Sequence, residues 1–130
     1  LLEFAEMLPG AEDLEPGDVL VVAPDGRLIR SSEPYAANVA GVHSTRPSYV
    51  GNARMLGQAG QAPLAMMGVV PVKASAENGP IVPGDLLTTS TTPGHAMRAD
   101  PSPPVGTVIG KALEPLDEGS GMIQMLVMLQ

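Results

Sequence analysis

Apolar residues along this chain come in short alternating runs, and glycine or proline breaks almost every window of ten positions. Alternation with a period of two marks a half-buried strand, whereas an amphipathic helix needs apolar positions at i, i+3, i+4 and i+7 over a longer stretch. The pattern predicts strands at Val19–Ala23, Arg27–Arg30, Val39–Ser44, Ala65–Lys73, Asp85–Thr89, Ala96–Arg98, Gly106–Leu113 and Met122–Leu129. Turns fall at Asp25-Gly26, Asn78-Gly79-Pro80, Pro93-Gly94 and Glu118-Gly119-Ser120-Gly121, where Gly, Asn and Asp tolerate positive φ and proline presets its own. Only Leu1–Leu8 has helical spacing, so residues 1–15 read as an acidic linker or a short helical segment. The expected fold is all-β with little helix: a small barrel or sandwich forming a single domain over residues 16–130.

An internal echo organises that domain. Pro16-Gly17-Asp18-Val19-Leu20 returns 67 residues later as Pro83-Gly84-Asp85-Leu86-Leu87. Downstream, Gly26 and Arg30 answer to Gly94 and Arg98, and Val39-Ala40-Gly41 answers to Val108-Ile109-Gly110. Each half then closes on an apolar run. Two related β-units, residues 16–74 and 83–130, are therefore expected, packed about a pseudo-two-fold that removes exposed strand edges. Pro-Gly-Asp ahead of an apolar run is a turn device: proline sets φ, glycine takes φ > 0, and the aspartate accepts bonds from backbone N–H groups. Gly17, Asp18, Gly84 and Asp85 thus read as architecture, and Gly-Asp at this place resembles the GD box of small cradle-loop barrels.

Composition narrows the function. Seven basic against 14 acidic side chains give a net charge of −7 with no basic cluster, which excludes a nucleic-acid binder or an anionic-membrane binder, since both depend on Lys and Arg. Cysteine is absent, so there is no disulfide framework or thiolate metal site. Apolar runs such as Leu64–Val72 and Met122–Leu129 are far shorter than the roughly 20 residues of a membrane span. The first residue is Leu1, and the start lacks a signal-peptide pattern, so the chain reads as a piece of a longer protein. Phe4, Tyr35 and Tyr49 are the only aromatics beside eight methionines, and such a core is expected to be completed by partner subunits.

Candidate chemistry is sparse. His43 and His95 lie in no metal-ligand spacing, and no metal or cofactor is expected. The run Thr88-Thr89-Ser90-Thr91-Thr92 reads as a solvent-facing β-surface without a nucleophile elbow. Ser44 and Thr45, with Lys73 or Lys111 as base, make no stronger case. Glu3 and Glu6 would share one face of a helical turn, where close carboxylates can divide into acid and base. Gly51–Pro63 is a long polar insertion without a counterpart in the second half, and on small barrels such loops carry binding. Tyr35, Tyr49, Asn52 and Arg54 are the expected contacts there, with a surface glycan as the candidate ligand.

Several motifs together resemble one family. EFAEM, EPGDVLVV, YAANVAGVHS, PSYVG, GVVPVKAS, NGPIVPGDLLTTSTTPGHAMRA, GTVIGKALEPL and IQMLVMLQ are similar to segments of the peptidase G2 type domain, which closes phage pre-neck appendage proteins and tail-fibre-like β-helical proteins. The resemblance runs over essentially the whole chain. It implies an intramolecular chaperone that forms a homotrimer at the end of an upstream β-helical or fibre segment, in an extracellular or virion-associated setting. In phage members it also implies autoproteolysis through an acidic pair: Glu6 matches one acidic position, and Glu3 stands where the family has Asp.

Overall fold

The computed structural model describes residues 3–45 and 49–130, with Tyr49 described by its backbone alone. The chain is all-β. Its strands are β1 (Glu3–Pro9), β2 (Val19–Val22), β3 (Leu28–Arg30), β4 (Val39–His43), β5 (Tyr49–Gly51), β6 (Gln61–Ser75), β7 (Leu86–Thr89), β8 (Ala96–Arg98), β9 (Val108–Ala112) and β10 (Ser120–Val127). A single 3₁₀ turn, Ala53–Met55, follows β5.

The long strand β6 is the spine. Its C-terminal half pairs with β10 and, in parallel, with β8; β9 and β7 complete a closed ring of five strands in the order β6, β10, β9, β7, β8. Its N-terminal half pairs with β1 and β4, β4 pairs with β2, and β2 with β3. A lone parallel bridge from Gly10 to Leu28 then returns that second circuit to the end of β1. The internal echo is a register correspondence: Leu20 pairs with Gly41 and Arg30, as Leu87 pairs with Gly110 and Arg98. Both β2 and β7 also break register at the next residue, between Leu20 and Val21 and between Leu87 and Thr88.

Three sequence expectations change. The helical turn predicted at the N-terminus lies, over its described residues, in β1; Leu1 and Leu2 fall outside the described residues. Glu3, Ala5 and Met7 are buried while Phe4, Glu6 and Leu8 are half-buried, a period of two that pairing with β6 imposes. The two units share β6 and follow one another in tandem, and their docking is one-sided. Val19 N–H donates to the Gly94 carbonyl at 2.8 Å and Gly94 N–H to the Ser31 carbonyl at 2.9 Å. No reciprocal bond joins the first unit's Gly26 to Leu86 among the described residues, so the expected pseudo-two-fold is absent from this contact. Finally, β6 runs from Gln61 to Ser75, longer than the predicted Ala65–Lys73, because both halves of the chain use it.

Among the described residues neither core cluster contains an aromatic, as suits a five-stranded ring whose narrow lumen is filled by side chains of modest size. The larger core cluster includes Val70, Val72, Ala74, Leu87, Ala96, Ile109, Ile123 and Met125, and draws in Val19, Val42 and Ala65 from the first unit. A smaller cluster of Leu20, Leu28, Ala62 and Leu64 fills the first circuit. Where β9 and β10 approach, a Cβ on Gly110 would run into the Leu126 carbonyl, so only glycine fits there.

Candidate functional site

The densest charged cluster lies at the first Pro-Gly-Asp corner. Asp18 is wholly buried. Its Oδ2 accepts from the Glu15 N–H at 2.8 Å and from Arg30 Nε at 3.0 Å, and its Oδ1 from Lys73 Nζ at 2.7 Å. Burial pushes the Asp18 carboxyl up, but the Arg30 and Lys73 bonds, with the Glu15 amide, outweigh it and hold the group below the usual aspartate value. Arg30 is raised, first by its bond to Asp18; Lys73, which burial lowers, is raised overall by Asp18 and Glu15. With both carboxylate oxygens bonded to cations from β3 and β6, the cluster is a structural tie between the β3 arm and the shared strand.

The expected catalytic pair is not brought together. Successive side chains of a strand point to opposite faces, so Glu3 and Glu6, three residues apart on β1, face apart. Glu3 is buried and accepts from Ser44 Oγ at 2.5 Å and Thr45 N–H at 3.3 Å. Glu6 accepts from Asn52 Nδ2 at 3.3 Å on the other side. The sequence hid this because helical and extended spacings of a short apolar run look alike.

The expected binding residues also scatter. Tyr35, at φ 52°, leans on the second unit, its N–H on the Thr89 carbonyl and its hydroxyl accepting from Asp100 N–H at 2.8 Å. Asn52 is committed to Glu6, while Arg54 is exposed and its carbonyl accepts from Gln58 Nε2. The Tyr49 side chain, with Pro47 and Ser48 of the PSYVG motif, lies outside the described residues.

The hydroxyl run is a correction of a different kind. Thr88, Thr89 and Ser90 are buried rather than solvent-facing. Thr88 Oγ1 donates to the Thr107 carbonyl at 2.7 Å, and Thr89 Oγ1 accepts from Ala36 N–H at 2.8 Å. Thr91 and Thr92 clasp Glu77, whose carboxylate accepts from both hydroxyls and both N–H groups. Partial burial raises the Glu77 carboxyl, and these bonds outweigh it and bring it down to about 2.

The feature that sequence reasoning missed is a cavity of about 630 Å³ at the first unit. Ala11, Glu12, Leu14 and Pro16, the end of β4 with Ser44 and Thr45, and residues 56–63 surround it, so part of the polar insertion does line a concave site. His43 is among the lining residues, and burial lowers its imidazole below the usual histidine value despite the Ser44 carbonyl and Asp18. Among the described residues no group of three His, Cys, Asp or Glu side chains is placed to hold a metal ion.

No protein family and no curated protein matches the chain. A solved structure of the N base of the head fibre protein gp8.5 in bacteriophage phi29 is similar at 18% identity, covering 98% of this chain and 95% of that one, with a TM-score of 0.48. Among the described residues no helix is long and apolar enough to cross a membrane.

Proposed function

We propose that this domain is a trimerisation and assembly module of a fibre-like bacterial or phage surface protein, chaperone-like in that its association would bring together the chains that carry it. The motif resemblance over the whole chain supports this reading. The observation that carries it is an outer face rich in exposed methionine and leucine in a chain of net charge −7. On the paired strands β6 and β10, Val69 stands opposite Leu126, Pro71 opposite Gln124 and Lys73 opposite Met122. The intervening Val70, Val72, Ile123 and Met125 are buried, so these six face outward. Met66 and Met67 extend the face, 50% and 56% exposed, with Met122 at 51% and Leu126 at 38%. Three of the 14 acidic residues reach the seam at its two polar positions, Glu15 and Asp18 on Lys73 Nζ and Glu114 on the Gln124 N–H, where each carboxylate is held by a hydrogen bond. Closed threefold symmetry places one such face from each copy about an axis, covering methionines that a monomer leaves in water.

Native mass spectrometry with light scattering at micromolar concentration tests this: a trimer is expected, and Met67→Asp with Leu126→Asp should return it to a folded monomer. A wild-type chain that stays monomeric rejects the proposal. Self-cleavage, the other activity that the resemblance implies, would require the Glu3 and Glu6 carboxylates to act on different faces of β1, and no geometry within one subunit favours it.

A further inference from the structure

The cavity beside β4 carries chemistry of its own, independent of how copies assemble. The His43 ring decides its character. Nδ1 sits 3.0 Å from the Ser44 carbonyl, and a carbonyl only accepts, so Nδ1 carries the proton and Nε2 presents a bare lone pair. Nε2 has no protein partner among the described residues, and it is not a sealed orphan: the only buried side-chain polar atom without a partner among them is Ser31 Oγ. Nε2 is therefore open to a visitor. Ser44 Oγ is turned away, committed to Glu3.

Two other polar groups on the wall, Gln58 and Glu12, share that bias. Gln58 spends its Nε2 on the Arg54 carbonyl, which leaves its Oε1 as an acceptor. The Glu12 carboxylate and the Gln61 side-chain amide make no hydrogen bond among the described residues, while the Gln61 main-chain N–H donates to the Gln58 carbonyl. Leu14 and Leu56 supply apolar surface, and among the described residues no Lys or Arg lines the cavity. An anionic ligand would face the Glu12 carboxylate with no counter-charge among the described lining residues. A ligand with many O–H donors and a C–H face would satisfy His43, Gln58 and Glu12 at once while resting on the leucines, and the volume lies in the range of small-molecule sites.

We propose that this cavity binds a neutral saccharide, with sugar hydroxyls donating to His43 Nε2, Gln58 Oε1 and the Glu12 carboxylate. The test uses the intact chain on an array of neutral saccharides, with glucuronate and trilysine as charged comparators, followed by NMR titration of the best neutral ligand. Saturable shifts of the His43 imidazole and of the Gln58 and Gln61 side-chain amides are expected. His43→Phe should weaken binding about tenfold, as loss of one good hydrogen bond would. Gln61→Leu, at a half-buried rim position, should also weaken it, and each variant's backbone amide spectrum verifies its fold. Silence across the neutral array, a preference for glucuronate or trilysine, or binding unchanged in both variants overturns the proposal. A monomer that binds sugar would reject the assembly reading and leave this one standing.

Discussion

At Pro16-Gly17-Asp18 and at Pro83-Gly84-Asp85 the backbone makes the same bonds. Asp18 Oδ2 accepts from Glu15 N–H at 2.8 Å, and Asp85 Oδ2 from Val82 N–H at 2.9 Å. Gly17 N–H reaches the His43 carbonyl as Gly84 N–H reaches that of Ala112, and the N–H groups of those two partners return to the Asp18 and Asp85 carbonyls. The surroundings then diverge. Asp18 is wholly buried between Arg30 and Lys73, while Asp85 is half-buried and makes no ion pair among the described residues. Arg98, the counterpart of Arg30, instead donates to the Asn78 carbonyl through Nε at 3.2 Å and Nη2 at 2.8 Å. The cause is position in the tandem. The first corner has a second unit docked on it; the second corner has none, so water solvates its carboxylate. One local motif thus serves as a plain turn in one setting and as a buried electrostatic tie in the other.

The largest expected difference between the corners comes from the carboxylates. Asp18→Asn removes the buried anion from two partly buried cations, leaving them only Asp13 and Glu15 at the exposed rim, and should lower stability by about 3 kcal/mol, the scale for breaking a buried pair. Asp85→Asn loses little more than a charge-assisted turn bond, about 1 kcal/mol. Equal losses in urea denaturation would show that docking adds nothing to the first corner.

Glycines of the two hairpins sharpen the same contrast. Gly94, at φ +70°, is the residue that docks: a Cβ there would lie 2.5 Å from Asp18 Oδ1 and 2.9 Å from Arg30 Cγ. Its counterpart Gly26, at φ +86°, has nothing within 4 Å. Gly26→Ala should cost about 1 kcal/mol, the left-handed penalty alone, and Gly94→Ala about 2 kcal/mol more from the clash. Thermal unfolding of the two variants checks the gap.

Acid should separate the groups in order. His43 is depressed in the folded state, so below its ordinary value near 6.5 the unfolded chain takes up the proton first, and stability falls there as pH drops. Asp18 and Glu77 are depressed carboxyls, whose contribution is present above their ordinary values of 3.8 and 4.5 and is lost as pH falls, for Glu77 toward about 2. Urea midpoints across pH 7 to 2 should show two declines, and His43→Phe should remove only the upper one.

The smallest effect belongs to Ser31, whose buried hydroxyl has no partner among the described residues. Ser31→Ala, beside the Gly94 contact, should be neutral or stabilising by up to about 1 kcal/mol, because it removes an unsatisfied polar group. A loss in differential scanning calorimetry would point to a partner for that hydroxyl.

Local chemistry alone determined the all-β character and most of the short strands and turns from Val19 onward, because period-two alternation, Pro-Gly-Asp and Asn-Gly-Pro act within a few residues. Leu20 and Leu87 fell into matching registers as their shared motif implied. The strand character of Glu3–Pro9 needed β6 beside it, since an apolar run that short is compatible with either period. Tertiary structure also decided which of two identical turns is buried, that Thr88 and Thr89 turn inward, and that His43 meets Gln58 and Gln61 around one cavity. Each of these depends on which segments meet across tens of residues, and burial, unlike propensity, is a property of the neighbours that the fold supplies.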